Sequence, residues 1–357
     1  MVWLNLYRGV SMQYLITGGA GFIGSNFVVH LLKLGHSVTV FDNFSRAGTR
    51  ENLESIMALK FKNQLRFVNG DIRDYESVKS AVVGAETILH LAGQVAVTAS
   101  VTNPRYDFEV NSLGTLNLLE AARNEGNKPL IIFASTNKVY GGLEDYQVLE
   151  QESRYAFADC PYGVSENQPL DFHSPYGCSK GTADQYVHDY SRIYGIPTVV
   201  LRLSCIYGPR QFGMEDQGWV AWFLISAALG REINIYGDGK QVRDLLYIDD
   251  LIDAVDKIVI GRETLAGQIF NLGGGRSNSI SVWQELQPML ESVSGKKLIP
   301  NRGDWRPGDQ KIYISDIRKA EKYLHWTPKI KVSQGIVSLY QWIEDNRDLL
   351  RKVLKIQ

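Results

Sequence analysis

The sequence predicts an α/β protein, a doubly wound parallel sheet followed by a smaller C-terminal α/β lobe. From Gln13 onwards, short β-branched runs alternate with longer amphipathic ones, as in repeated strand-helix-strand units with a buried parallel sheet. Three glycines, Gly18, Gly21 and Gly24, occupy the junction between the first strand and the first helix. Beyond about Arg202 the alternation breaks up into Gly and Pro punctuation, at Gly208-Pro209, Gly237-Asp238-Gly239, Gly273-Gly274-Gly275 and Arg306-Pro307-Gly308.

In chain order, strands are expected at 13–17, 37–41, 65–69, 87–91, 130–134 and 198–201, and helices at 22–34, 75–83, 104–124 and 174–194. Ile23, Phe27, Leu31 and Leu34 recur at helical spacing, the stripe that covers one face of a sheet. Residues 245–272 read as a helix and then a strand that returns to the sheet, and 347–355 as a solvated surface helix. Residues 1–11 are expected to be an extension with no role in the fold, with Met12 nearer the functional start. The remainder divides into a dinucleotide-binding domain at 12–203, rejoined by 241–273, and a second lobe at 204–240 and 274–357. The two are expected to pack together with a site between them.

Composition excludes several classes of function. Among 357 residues, 38 Lys and Arg face 39 Asp and Glu, so no sequence-wide basic field recruits nucleic acid or acidic lipid. At 44% hydrophobic and 22% charged, the chain lies far from disordered compositions. The longest apolar stretch, Trp219–Leu229, is about half of the roughly 20 residues that span a bilayer. Cys160, Cys178 and Cys205 have no CxxC spacing, and the six histidines no HExxH, so a reducing, cytoplasmic setting without a metal is expected. Cys178 reads as packing, His90 shows no metal-ligand spacing, and His173, near enough to the helix start to touch substrate, reads first as a cap or surface group.

The glycines lie in Thr17-Gly18-Gly19-Ala20-Gly21-Phe22-Ile23-Gly24. Such a turn lets backbone approach a pyrophosphate, while Phe22 and Ile23 open a helix whose free N–H groups face that anion. Asp42 ends the second strand, 18 residues after Gly24, where a carboxylate suits a ribose diol and repels a 2′-phosphate. The combination is a Rossmann-type fingerprint and favours NAD over NADP. Asn43, Ser45 and Arg46 follow in the same loop, Arg46 being the residue that could greet a 2′-phosphate instead. Asp71-Ile72 and Leu91-Ala92-Gly93 stand at carboxyl ends of strands, where open α/β sheets bind ligands.

Ser174-Pro175-Tyr176 opens a helix with a capping Ser and an early Pro, and Lys180, four residues after Tyr176, projects from the same face. A phenol of pKa near 10 needs roughly 4 kcal/mol of preferential phenolate stabilisation to act near pH 7. A neighbouring ammonium and an oxidised nicotinamide supply the right sign. Ser135-Thr136-Asn137-Lys138-Val139-Tyr140-Gly141 places a hydroxyl pair at the end of the fifth strand. Asn111 either links helices or holds water at the site, and the sequence leaves both open.

These motifs, with Val242-Arg243-Asp244, resemble the extended short-chain dehydrogenase/reductases that modify nucleotide sugars, over nearly the whole span from Gln13 to Trp342. Gly208-Pro209-Arg210-Gln211-Phe212 and Asp216-Gln217-Gly218-Trp219-Val220 resemble most the branch that epimerises CDP-paratose to CDP-tyvelose at C2, a step in 3,6-dideoxyhexose and O-antigen biosynthesis. The resemblance implies tightly held NAD, Tyr176 as base, Lys180 as its ribose-binding partner and Thr136 bonded to the reacting hydroxyl. Arg243 and Arg306 would face the nucleotide, joined by Arg210, with Asp309 ordering Arg306 or a ribose. Asn137, Gln211, Gln217, Trp219 and Trp222 would shape the sugar or base site, although Trp219, Trp222 and Phe223 at helical spacing read first as core. Sugar 4,6-dehydratases resembling this chain carry Asp-Glu where Asn137-Lys138 stands, and an amide and a cation are poorly suited to eliminating water. The implied assembly is a homodimer or homotetramer pairing through 104–124 and 174–194. A UDP-hexose 4-epimerase would use the same trio. A catalytically silent NAD-sensing regulator on this fold is a third reading, against which both Tyr176 and Lys180 are retained.

Overall fold

The computed structural model describes residues 11–59, 61, 64–306 and 309–356. They form two compact units: residues 11–135, 179–201 and 254–269 make the first, and 136–178, 202–253 and 270–356 the second. Residues 136–178, expected in the dinucleotide-binding domain, thus group with the second unit. Their own core explains it: Val139, Tyr140, Leu143 and Val164 are buried together with Tyr313.

A seven-stranded sheet, most of whose strands lie in the first unit, runs in the spatial order Ile269–Leu272, Thr198–Leu203, Leu130–Thr136, Thr87–His90, Gln13–Thr17, Ser37–Asp42 and Leu65–Asn69. Gln13–Thr17 pairs in parallel with two neighbours, Ile16 opposite Val40 on one side and Leu89 on the other. The chain builds outward from this strand in one direction, then returns to build in the other. The reversal opens a crevice at the carboxyl ends of Gln13–Thr17 and Thr87–His90, where such sheets take ligands.

Helix Phe22–Lys33 buries Gly24, Ser25, Phe27, Val28, Leu31 and Leu32. Leu34, expected in that stripe, is instead 51% exposed, because the helix has ended and the chain turns at Gly35 with φ +88°. Each large apolar side chain buried here contributes about 1.5–3 kcal/mol. The expected helix at 104–124 is three pieces, Pro104–Phe108, a π-helical turn at Glu109–Leu113, and Gly114–Glu125. The segment expected to start as helix at 245 begins as strand Val242–Tyr247, since Leu245-Leu246-Tyr247 continues an apolar strand run; helix Ile248–Ile260 follows. Ser11 Oγ donates to Gly35 O at 3.1 Å, so the last residue of the expected extension touches the fold; residues 1–10 lie outside the described residues.

In the second unit, Val242–Tyr247 pairs with Ser279–Ser281, Ile312–Tyr313 and Cys205–Tyr207. Helices Trp219–Leu229 and Val332–Asp345 belong to the same unit, with Trp283 and Trp326 each 1% exposed. Helix Arg347–Leu354 forms as expected, seated by Leu350. No helix among the described residues is long and apolar enough to cross a membrane.

Candidate active site

The glycine turn packs backbone on backbone. Gly18 has φ +68° and donates its N–H to Phe41 O at 2.8 Å; a Cβ there would lie 2.8 Å from Ala92 N. Gly21 donates to Gly18 O, and a Cβ at Gly24 would overlap that same carbonyl and sit 2.6 Å from Gly19 Cα. Helix Phe22–Lys33 starts without any side chain bonded to its first amides, so the donors that a pyrophosphate needs remain available. Phe22 and Ile23 are partly exposed at this end. Gly24→Ala is expected to lower stability by about 2 kcal/mol through overpacking against unyielding backbone, read as a lower urea midpoint, and to reduce bound NAD in the purified protein.

Asp42 sits at the end of its strand, 8% exposed, accepting the N–H groups of Ala20 at 3.1 Å and Phe44 at 2.9 Å. Burial raises its pKa, and these amide contacts oppose the rise. Asn43 donates to Asp71 at 3.0 Å and accepts the N–H of Ser45, which fixes the loop that runs on to Arg46. Arg73 grips Asp71 with two nitrogens at 2.8 and 2.9 Å and holds its carboxyl down to about 2. Ile72 is buried beneath, and Leu91, Ala92 and Gly93 edge the crevice, with Ala92 N–H bonded to Thr17 Oγ1. The Asp42 carboxylate and this backbone cradle fit NAD, whose adenosine ribose and pyrophosphate they match in charge and donor type.

Helix Ser174–Tyr194 starts where the sequence places it, with Ser174 Oγ accepting Gly177 N–H at 3.2 Å and Ser174 itself at φ +63°. Tyr176 is 8% exposed, and one turn later comes Lys180, 5% exposed. Lys180 Nζ donates to Ala134 O at 2.6 Å and lies 4.1 Å from the centre of the Phe133 ring. Burial lowers its pKa to about 7, opposed by Asp184 and Asp107. Asn111 lies in the π-helical turn; its amide donates to Gln94 O, Asp107 Oδ1 and Ser179 Oγ, and its oxygen accepts Gln94 N–H. Through Ser179 these contacts tie the turn to helix Ser174–Tyr194, the link that the helix-linking reading expects. His90, fully buried between Thr17 and Thr115, is likewise structural, its pKa lowered to about 3 by burial.

In the second unit, Thr136 caps a short 3-10 turn, Asn137–Tyr140, its Oγ1 accepting Lys138 N–H at 3.2 Å. The turn is pinned through Tyr140, whose hydroxyl donates to Asn271 at 2.7 Å and accepts from Arg202 at 3.1 Å. Asn137 is partly exposed. Arg243, 9% exposed, donates to Asp309 at 2.7 Å. Asp309 therefore pairs with Arg243, and its backbone N–H donates to Arg306 O at 3.1 Å. Arg306 lies 4.0 Å from the centre of the Tyr236 ring. Arg210 is partly buried at φ +66°, and Gln217 pairs with Met214 through backbone. Gln211 is 5% exposed beneath Gly218, so it packs inward. Trp222 and Phe223 are core, while Trp219 donates to Cys205 Sγ at 3.5 Å. His173 bonds Asp171 at the surface, and Cys178, expected as packing, is exposed. Among the described residues, no group of three His, Cys, Asp or Glu is placed to hold a metal ion.

Sequence reasoning missed Asp107, Ser179 and Gln94, which lock Asn111, and Gln310, which accepts from Lys138 Nζ at 3.3 Å. Lys138 and Gln310 are 172 residues apart, and no local pattern relates them.

The family model for GDP-mannose 4,6 dehydratase matches residues 15–339. The chain is 44% identical over 338 residues to the CDP-paratose 2-epimerase of Salmonella typhi, covering 93% of this chain and 99% of that one. Among solved structures, the UDP-glucose 4-epimerase of Thermotoga maritima, crystallised with UDP-glucose, matches with TM-score 0.80 and 32% identity, over 94% of this chain and 100% of that one. A dTDP-glucose 4,6-dehydratase of Streptomyces venezuelae with NAD bound matches with TM-score 0.81 and 30% identity, over 96% and 100%.

Proposed function

From the chain's membership of the GDP-mannose 4,6-dehydratase family, extended short-chain dehydrogenase/reductases acting on nucleotide sugars, we propose that it is an NAD-dependent nucleotide-sugar epimerase converting CDP-paratose to CDP-tyvelose at C2. The observation that carries epimerisation over dehydration is the turn after Thr136, which presents Asn137 and Lys138 and so lacks a carboxyl acid-base pair. The 44% identity to a CDP-paratose 2-epimerase carries the choice of sugar and base.

In this reading Gly18, Gly21 and Asp42 hold NAD, which supplies, when bound, the acceptor and later donor of hydride. The Tyr176 phenol is the base that takes the proton of the sugar hydroxyl. Lys180, on the same helix face, biases that phenol towards phenolate, and its buried ammonium is well placed to bond a ribose hydroxyl. Thr136 Oγ1, already oriented by Lys138 N–H, fixes the reacting hydroxyl. Loss of hydride to bound NAD would leave a planar ketone; on return of that hydride to the other face, Tyr176 would give the proton back to the oxygen. Because no net oxidation results, the cofactor need not exchange, and a cytoplasmic enzyme carrying NAD through purification is expected.

Incubation with CDP-paratose and, separately, with UDP-glucose tests the assignment. Turnover of the CDP-sugar by protein as purified, without added cofactor, is the expected result. Turnover of UDP-glucose alone would replace it with a UDP-hexose 4-epimerase, and dependence on added NADPH would remove the NAD assignment.

A further inference from the structure

The residue of the second unit whose electrostatics the proposed reaction leaves unexplained is Lys138. The residue is partly buried, and among the described residues its ammonium bonds the neutral amide oxygen of Gln310 and forms no ion pair. Arg243 is its near neighbour and carries the same sign. The carboxylate of this cluster, Asp309, is taken up by Arg243 at 2.7 Å. Two cations thus share one anion, an arrangement that a buried site tolerates poorly unless a further negative group completes it. Burial, followed by Arg243, lowers the Lys138 pKa to about 8, the mark of an ammonium short of anionic company. Arg243 spends one guanidinium N–H on Val242 O and another on Asp309, so most of its donor fork remains for a ligand. A structural lysine would be expected to seek the carboxylate; this one leaves it to the arginine.

Lys138 also belongs to the turn that Thr136 caps, so one residue reaches two places. Its backbone N–H holds Thr136 Oγ1 at 3.2 Å, while its side chain extends to the cluster around Arg243, Asp309 and Gln310. Resting on the nucleotide-sugar reading above, we propose that Lys138 contacts the substrate directly. Its ammonium, with the Arg243 guanidinium, grips the diphosphate, and its backbone N–H ties that grip to the orientation of Thr136. A diphosphate brings about two negative charges and a set of acceptor oxygens, enough to offset the one positive charge left over and to give both cations an acceptor.

The test compares K138M and K138R in the NAD-loaded enzyme, using competitive inhibition by CDP and by cytidine together with KM and kcat for CDP-paratose. K138M is expected to weaken CDP by about ten-fold or more and cytidine by less than about two-fold, with KM rising far more than kcat falls. K138R should recover most of the loss, since it restores a charged donor. K138M that binds CDP as the wild type does, or that loses kcat at unchanged KM, would overturn the proposal. Should K138M fail to fold, inorganic pyrophosphate serves as the probe: it should compete against wild type and less well against K138Q, and equal competition overturns the proposal. If the enzyme prefers a UDP-sugar, weakened UDP binding in K138M still sustains the grip although the base assignment fails. A wild-type protein that binds neither CDP nor UDP would overturn both.

Discussion

Tyr176→Phe is expected to leave a folded protein that retains NAD but converts its nucleotide sugar about 10³-fold more slowly. The substitution removes one oxygen from a side chain 8% exposed, so packing changes little. Gly18, Gly21 and Asp42, assigned to NAD, lie in the first unit, whereas Tyr176, also expected to touch the cofactor, belongs to the second and loses only its hydroxyl, so the cofactor should stay. A loss confined to kcat, with NAD still measurable in denatured extracts, is the expected pair of results. Full activity in Y176F would remove Tyr176 as base, and loss of NAD would mean that the residue supports cofactor binding instead.

Lys180→Met is expected to abolish most turnover while stabilising the cofactor-free protein. The wild-type ammonium is buried with a backbone carbonyl and an aromatic face for company, and its pKa is lowered from 10.5 to about 7. That shift corresponds to a cost of about 5 kcal/mol for keeping the charge folded, at about 1.36 kcal/mol per pH unit. Methionine has a similar length and no charge; it forgoes the bond to the Ala134 carbonyl, a loss of about 1–3 kcal/mol, so a net gain of a few kcal/mol remains. The pH dependence has a definite sign. Between about 7 and 10.5 the unfolded chain holds a proton that the folded chain has released, so wild-type stability rises with pH across this window. The advantage of K180M in urea midpoint should therefore be largest below pH 7 and shrink towards pH 9. A variant less stable than wild type at pH 6 would contradict the burial cost.

What the sequence made legible was what local chemistry writes locally. The glycine turn, the acid ending the second strand and the Tyr176/Lys180 helix follow from spacing alone, and strands Gln13–Thr17 and Leu65–Asn69 and helix Ser174–Tyr194 match to the residue. Contacts between distant segments left no such trace. Asp107 meets Ser179, and Arg243 rather than Arg306 takes Asp309, through partners 72 and 66 residues apart. Residues 136–178 looked continuous with the sheet because Leu130–Thr136 leads straight into them; their true allegiance depends on Tyr313, far along the chain. The single helix expected at 104–124 failed for a subtler reason, since the π-helical turn within it is tied down by Gln94 and Ser179, partners from other segments that no local spacing reveals.

That π-helical turn at Glu109–Leu113 also sets how the chain can change length. A loop absorbs a deletion by shortening, whereas here the loss of one residue would re-phase everything beyond it by about 100°. Leu118, Leu119, Ala121 and Ala122, all at most 2% exposed, would rotate away from the core as a block. The turn behaves as an inserted residue that the fold has since made indispensable: Asn111 is welded to Gln94, Asp107 and Ser179, and the helix after it is aimed by the irregularity. The middle of this helix is thus a position where a single codon deletion acts as a lesion of the core.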